Sequence, residues 1–114
     1  MQSRICFLSS FVIASLLFVP SISQAQEPST GKAIYEQNCA ACHGSDGSGR
    51  MRGVPDFTRS NGVLSKPESE LVQNTINGVS GGGRFGMPVK GGNPDLSDQD
   101  IRNVIHYMLA TFKK

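Results

Sequence analysis

The 114-residue chain has no strong excess of either charge, only two histidines and three cysteines, and few aromatic residues. Each shortage removes something. Eleven Lys+Arg stand against nine Asp+Glu, a formal net charge of +2, which excludes the broad basic surface of a nucleic-acid binder. No segment alternates apolar and polar residues for more than a few positions, so a sheet has no sequence support. The length leaves no room for a cofactor domain beside a substrate domain. Apolar residues also run short once the chain is divided. Of 43 residues in the AVILMFWYC set, 15 fall in residues 1–25 and 28 in the remaining 89. A domain that small and that poor in large apolar groups usually needs a staple, a metal or a cofactor.

The N-terminus explains the imbalance. Arg4 precedes a mostly apolar run of fourteen residues, Cys6–Val19, which Pro20 ends. Ser23-Gln24-Ala25 then offers the small residues a signal peptidase reads. The run is shorter than the roughly 20 residues a membrane-spanning helix needs. The expected organisation is therefore a secretory signal over residues 1–25 and one domain over residues 26–114. Cys6 leaves with the signal, and Cys39 and Cys42 remain.

Three helices are expected in the mature part. The first, capped by Ser29 or Thr30, runs from about Gly31 to Cys42, with Gly31, Tyr35, Asn38, Cys39 and Cys42 on one face. Ser65-Lys66-Pro67-Glu68 reads as a capping box that opens a second helix through Leu71, Val72 and Ile76 to Gly78. Ser97 caps a third, whose Ile101, Val104, Ile105 and Met108 form an amphipathic stripe. Asp98 and Asp100 in its first turn and Lys113 and Lys114 in its last suit the helix dipole. Between helices lie a Gly/Ser/Arg-rich loop over residues 44–53, a turn at Pro55–Thr58, and a stretch over 78–92 with seven glycines. No strand precedes GGGRFG, so it is not a phosphate loop. Loops this long in a small domain suggest that they wrap something.

Cys39-Ala40-Ala41-Cys42-His43 is C-x-x-C-H, the attachment sequence for c-type haem. On a helix these three side chains are i, i+3 and i+4 and project from one side. Two thiols can add to the two vinyl groups of a haem, and the imidazole then lies over the iron. The competing readings are weaker. A structural zinc site needs four ligands, and only Cys39, Cys42, His43 and His106 are on offer. A thioredoxin-type pair expects a βαβ context. A plain disulfide leaves His43 and the thin core without a role.

With these residues the sequence resembles a class I cytochrome c, over nearly all of residues 29–112. The resemblance implies an all-α cytochrome c fold: three to four short helices and Gly-rich loops around one haem c, bound through Cys39 and Cys42. Gly31 and Tyr35 match the first-helix positions that cross the last helix, and Val104 and Tyr107 the facing ones. Pro55, twelve residues after His43, matches a proline whose carbonyl accepts a hydrogen bond from the proximal histidine's Nδ1–H and orients its ring. Met87-Pro88 matches the family's distal ligand. The chain departs from the mitochondrial branch in having no Trp, whose indole there bonds a haem propionate. It is closer to short bacterial relatives, with Arg50, Arg52 and Arg84 as candidate propionate partners by charge.

Among the candidate sixth ligands, Met108 lies on the apolar stripe and is expected in the core. Met51 is only eight residues after His43, and His106 sits between stripe positions facing solvent. Met87, in a polar glycine loop, has no packing reason to be there. The expected metal ligands are therefore His43 and Met87, with no catalytic residue. A His/Met iron has no vacant site and changes between Fe²⁺ and Fe³⁺ with little rearrangement. The expected function is a periplasmic one-electron carrier rather than an enzyme. The alternatives are a subunit through which electrons enter a dehydrogenase or oxidase complex, and a small haem enzyme or gas-binding protein. The expected pocket draws on Tyr35, Phe57, Leu64, Leu71, Ile76, Leu96, Val104 and Met108, with Phe85 near the edge. Donor and acceptor proteins are the implied partners. Nucleic acid and stable membrane insertion after cleavage are not, and a monomer is expected. Residues 44–92 carry six basic and four acidic side chains, which implies a weakly basic docking surface.

Overall fold

The computed structural model of the chain describes residues 28–81 and 86–114. The expected leader over residues 1–25, with Cys6, lies outside the described residues, as do Arg84 and Phe85. Four α-helices are described: α1 Pro28–Asn38, α2 Ala40–His43, α3 Glu68–Asn77 and α4 Asp98–Phe112. Short 3₁₀ turns occupy Val63–Ser65 and Val89–Gly92. Among the described residues there is no strand, only one isolated antiparallel bridge between Val79 and Met87. The all-α class is as expected.

The first helix starts at Pro28, earlier than expected, and places proline in the first turn, where its missing N–H costs nothing. It does not run on to Cys42. The helix breaks at Cys39, whose φ of −113° departs from helical values. Just before it, Asn38 Nδ2 donates to the Ile34 carbonyl at 3.0 Å, and Cys39 N still donates to Tyr35 O at 2.9 Å. The chain winds again at once, with His43 N donating to Cys39 O at 3.0 Å. The C-x-x-C-H segment thus has a short helix of its own.

The second expected capping box does not form. Pro67 forces Lys66 into an extended conformation (φ −68°, ψ 157°). The N-cap of α3 is therefore Pro67, with no side-chain cap. The Ser65 hydroxyl instead donates to Gly62 O at 2.6 Å. At α4 the expected cap is present. Ser97 Oγ accepts from Asp100 N at 3.1 Å, and Asp100 Oδ2 accepts from Ser97 N at 2.9 Å. Lys113 and Lys114 lie just past the last turn, which ends at Phe112.

The core sits where α1 crosses α4, the most extensive helix contact. Gly31 permits the approach. A Cβ there would fall on the Asn103 carbonyl and within 2.9 Å of Tyr107 Cβ. One turn on, Tyr35 is fully buried, its ring 5.7 Å from that of Tyr107 and 5.1 Å from that of Phe112. Such aromatic pairs add about 0.5–1.5 kcal/mol each beyond their area burial. Ile101, Val104, Ile105 and Met108 are buried as their spacing predicts, and Phe112 extends the same stripe by one turn. Phe57, Leu64 and Leu71 are buried as expected, whereas Ile76 and Leu96 are half-buried and pack against the core from outside.

Candidate functional site

The site begins with what holds α2. The loop after His43 folds back on it. Gly49 N donates to His43 O at 2.8 Å and Arg50 N to Cys42 O at 2.9 Å. The core contributes the Tyr35 hydroxyl, which donates to Gly44 O at 2.7 Å. These bonds satisfy carbonyls that a helix end leaves open. Burial, then the nearby Cys39, pushes the Tyr35 phenol well above its ordinary value, so it stays a donor.

Further along the loop, Asp56 Oδ1 accepts from Thr58 N at 2.9 Å and from Thr58 Oγ1 at 2.7 Å. This Asx turn fixes Phe57, whose N donates to Gly47 O at 2.8 Å. Phe57 stacks on His43, with ring centroids 4.4 Å apart and planes 14° from parallel. The imidazole therefore cannot rotate freely about its ring bond. His43 is buried, and burial lowers its proton affinity while the nearby Pro55 carbonyl raises it. Pro55 thus lies beside the ring as the resemblance implies. Nδ1 is buried, and no acceptor meets it in good hydrogen-bond geometry, although the Pro55 carbonyl is close enough to favour its proton.

Cys39 is half-buried and Cys42 exposed, and neither is in a disulfide. Burial, then the neighbouring Cys42 thiol, pushes the Cys39 thiol up to about 11. Among the described residues no three His, Cys, Asp or Glu side chains cluster as a metal site would need.

Two cavities open beside His43. The larger has an empty volume of about 970 Å³, open mouth included, and its apolar wall includes Phe57, Leu64, Leu71, Val104, Ile105 and Met108. The smaller, about 680 Å³ on the same measure, lies against Cys42, Met51, Arg52 and Val54. Cys39, His43, Pro55 and Met87 line both. The two cavities are neighbouring parts of one cleft.

Met87 reaches this cleft because its backbone is pinned to the end of α3. Val79 N donates to Met87 O at 2.9 Å. Gly78, at φ +74°, makes the turn possible, since a Cβ there would meet Met87 O at 2.8 Å. The rival ligands lie elsewhere. Met108 is buried in the apolar wall, His106 is exposed on α4, and Met51 is 45% exposed at the rim of the smaller cavity. Of the candidate propionate partners, Arg52 lines the smaller cavity, and Arg50 lines neither. Lys66, Asn74 and Thr75 line the larger cavity, and sequence reasoning did not single them out. Their apolar neighbours on α3 carry the periodic signal, and these polar positions carry none.

Residues 26–108 match the family described as "Cytochrome C oxidase, cbb3-type, subunit III". The chain belongs to the class I c-type cytochromes. Over 107 residues the cytochrome is 31% identical to cytochrome c-555 of Chlorobaculum tepidum, across 94% of this chain and 97% of that protein. It is 34% identical to cytochrome c-555 of Chlorobaculum thiosulfatiphilum over 87 residues, 76% of this chain and 99% of that protein. It is also 30% identical to the Cbb3-type cytochrome c oxidase subunit CcoP of Rubrivivax gelatinosus, over 85% of this chain and 31% of that protein.

The cytochrome carries covalently bound haem c and transfers electrons. Its cleft fits that group. The buried His43 ring beside the Pro55 carbonyl, the thiols at C-x-x-C-H spacing outside any disulfide and the apolar wall are features that suit a haem c site. Cys39, Cys42 and His43 are the residues that would hold it. No helix among the described residues is long and apolar enough to cross a membrane.

Proposed function

We propose that residues 26–114 form an exported, monomeric one-electron carrier of the periplasm, released from a signal peptide over residues 1–25. In this reading Cys39 and Cys42 would form the thioethers, and His43 and Met87 would supply the two protein ligands of the iron. One observation carries the reading: the buried His43 and Met87 line the same two adjoining cavities. When bound, the haem supplies an iron that alternates between Fe²⁺ and Fe³⁺.

The chain's own residues set how easily that change occurs. Phe57 keeps the His43 ring in one orientation, so the donor atom does not move between states. Leu64, Leu71, Val104, Ile105 and Met108 give the larger cavity an apolar wall. An apolar wall disfavours the extra positive charge of the ferric state, and a thioether ligand favours the ferrous one. Both raise the potential. With both His43 and Met87 on the iron, no position would remain for peroxide or dioxygen, which argues for a carrier rather than an enzyme. Redox proteins are the partners. A weakly basic loop surface around Arg50, Arg52 and Arg59 would favour acidic patches on them.

The similarity to CcoP favours a second reading, a subunit through which electrons enter an oxidase. The alignment spans 97% of the cytochrome c-555 of Chlorobaculum tepidum but 31% of CcoP, which favours the free carrier. Visible spectra of the oxidised and reduced holoprotein and of Met87→Ala test the ligand set. The ferric sulfur-to-iron charge-transfer band is expected in the wild type and absent from the variant. Its persistence in Met87→Ala would move the ligand to Met51 or Met108. Carbon monoxide binding to the ferrous wild type at neutral pH would instead favour an open-site enzyme.

A further inference from the structure

Among the described residues, one side-chain hydrogen bond joins distant parts of the chain. Asn93 Nδ2 donates to Asn38 Oδ1 at 2.9 Å across 55 positions, whereas each of the others spans nine residues or fewer. Its two ends are significant. Asn38 closes α1 and immediately precedes Cys39. Asn93 follows Met87 by six residues, at the end of the turn that Met87-Pro88 begins.

The bond is part of a polarised chain. Asn38 Nδ2 donates to Ile34 O at 3.0 Å, and Asn93 Oδ1 accepts from Asp95 N at 3.1 Å. Each amide uses both its donor and its acceptor. Rotating either by half a turn would set oxygen against oxygen or NH₂ against NH₂, so each has one orientation. The turn between Pro88 and Leu96 is braced within itself. Gly91 N donates to Pro88 O at 3.1 Å, Asn93 N to Lys90 O at 3.2 Å, and Lys90 Nζ to Leu96 O at 2.6 Å. What anchors this internally bonded turn therefore helps to decide where Met87 sits. One anchor is the Val79–Met87 backbone bridge to α3. The others are Asn93 on Asn38 and a longer, partly exposed ion pair from Lys90 to Asp98 at 4.0 Å; only the Asn pair reaches the haem-attachment segment. Asn38 and Gly91 both line the smaller cavity with Cys42 and Met87.

We propose that Asn38 and Asn93 form a positioning clamp that ties the Met87 loop to the haem-attachment segment and holds the thioether on its side of the cleft. The proposal rests on the reading of Met87 as the sixth ligand. The clamp resists displacement of that ligand and has no part in binding redox partners.

The test is imidazole titration of the ferric holoprotein, read by loss of the sulfur-to-iron charge-transfer band, beside thermal unfolding. Asn93→Asp keeps the shape and removes the donor. Asn38→Ala removes the acceptor and keeps the test alive should the first variant not assemble. Each is expected to raise imidazole affinity about three- to tenfold, the worth of one hydrogen bond. The double variant is expected to gain no more than the larger single effect. Ser97→Ala, which weakens the cap of α4, serves as a control expected to lower the unfolding temperature and leave imidazole affinity alone. If the Asn variants lower the unfolding temperature but bind imidazole as the wild type does, the clamp is merely structural and the proposal fails. If single effects add in the double variant, the pair does not act together and it fails equally. If Met87→Ala retains the band, the ligand assignment itself falls, and the clamp falls with it.

Discussion

The crossing of α1 and α4 and the glycine loop over residues 78–96 are built in opposite ways. The crossing is dense. Tyr35, Ile101, Val104, Ile105 and Phe112 are all buried there, and Gly31 is small so that two backbones can meet. The described part of the loop buries no large apolar side chain, and Val79 and Val89 are 43% and 54% exposed. It is held by single hydrogen bonds at its ends. Stability is thus concentrated at the crossing, while the loop sets the position of one side chain. Substitutions should separate the two, with stability lost at the first and ligand chemistry altered at the second.

The sharpest break is Phe112→Ala. It empties the space beside Tyr35 and Phe57 and is expected to cost about 3–5 kcal/mol, read as a lower denaturant midpoint of the holoprotein. Gly31→Val comes next. Its side chain collides with Asn103 O and Tyr107, and the loss is expected near 3 kcal/mol by the same measurement. A smaller effect belongs to the α4 cap, where Ser97→Ala should cost about 1 kcal/mol. That cap also depends on pH. The Ser97 hydroxyl and N–H hold the Asp100 carboxyl below the ordinary carboxylate value. Its contribution is therefore full above the unfolded-state value and fades as pH falls through the folded one. Unfolding temperatures measured from pH 6 downward should fall less steeply at the acid end in Ser97→Ala than in the wild type. The smallest effect is expected on the loop. Val89→Ser, at a 54% exposed position, should change stability by less than about 0.5 kcal/mol. A loss comparable to that of Phe112→Ala would erase the contrast between the regions.

The same contrast explains what the sequence made legible. The α4 stripe and its cap follow from spacing and from one Ser-x-x-Asp, because local chemistry decides them. Phe112 continues that stripe four residues after Met108, so its burial was readable from the same period. The C-x-x-C-H segment is likewise local. One expectation failed because a neighbour outweighed the pattern: Pro67 moved the start of α3 away from Ser65. The first helix also ends at Asn38, short of the Cys42 that its spacing suggested. The stacking of Phe57 on His43 and the pairing of Asn93 with Asn38 join residues 14 and 55 positions apart. Neither leaves a periodic trace, since an isolated aromatic or asparagine in a loop looks like any other.

Leu64, Leu71, Val104, Ile105 and Met108 belong at once to the hydrophobic core and to the wall of the larger cavity. Their outer faces would therefore meet the rigid planar haem rather than another layer of polypeptide. The prosthetic group serves this short chain as a missing layer of structure. A methyl group trimmed from that wall alters the iron's surroundings and the integrity of the domain together, so colour and folding would report the same injury.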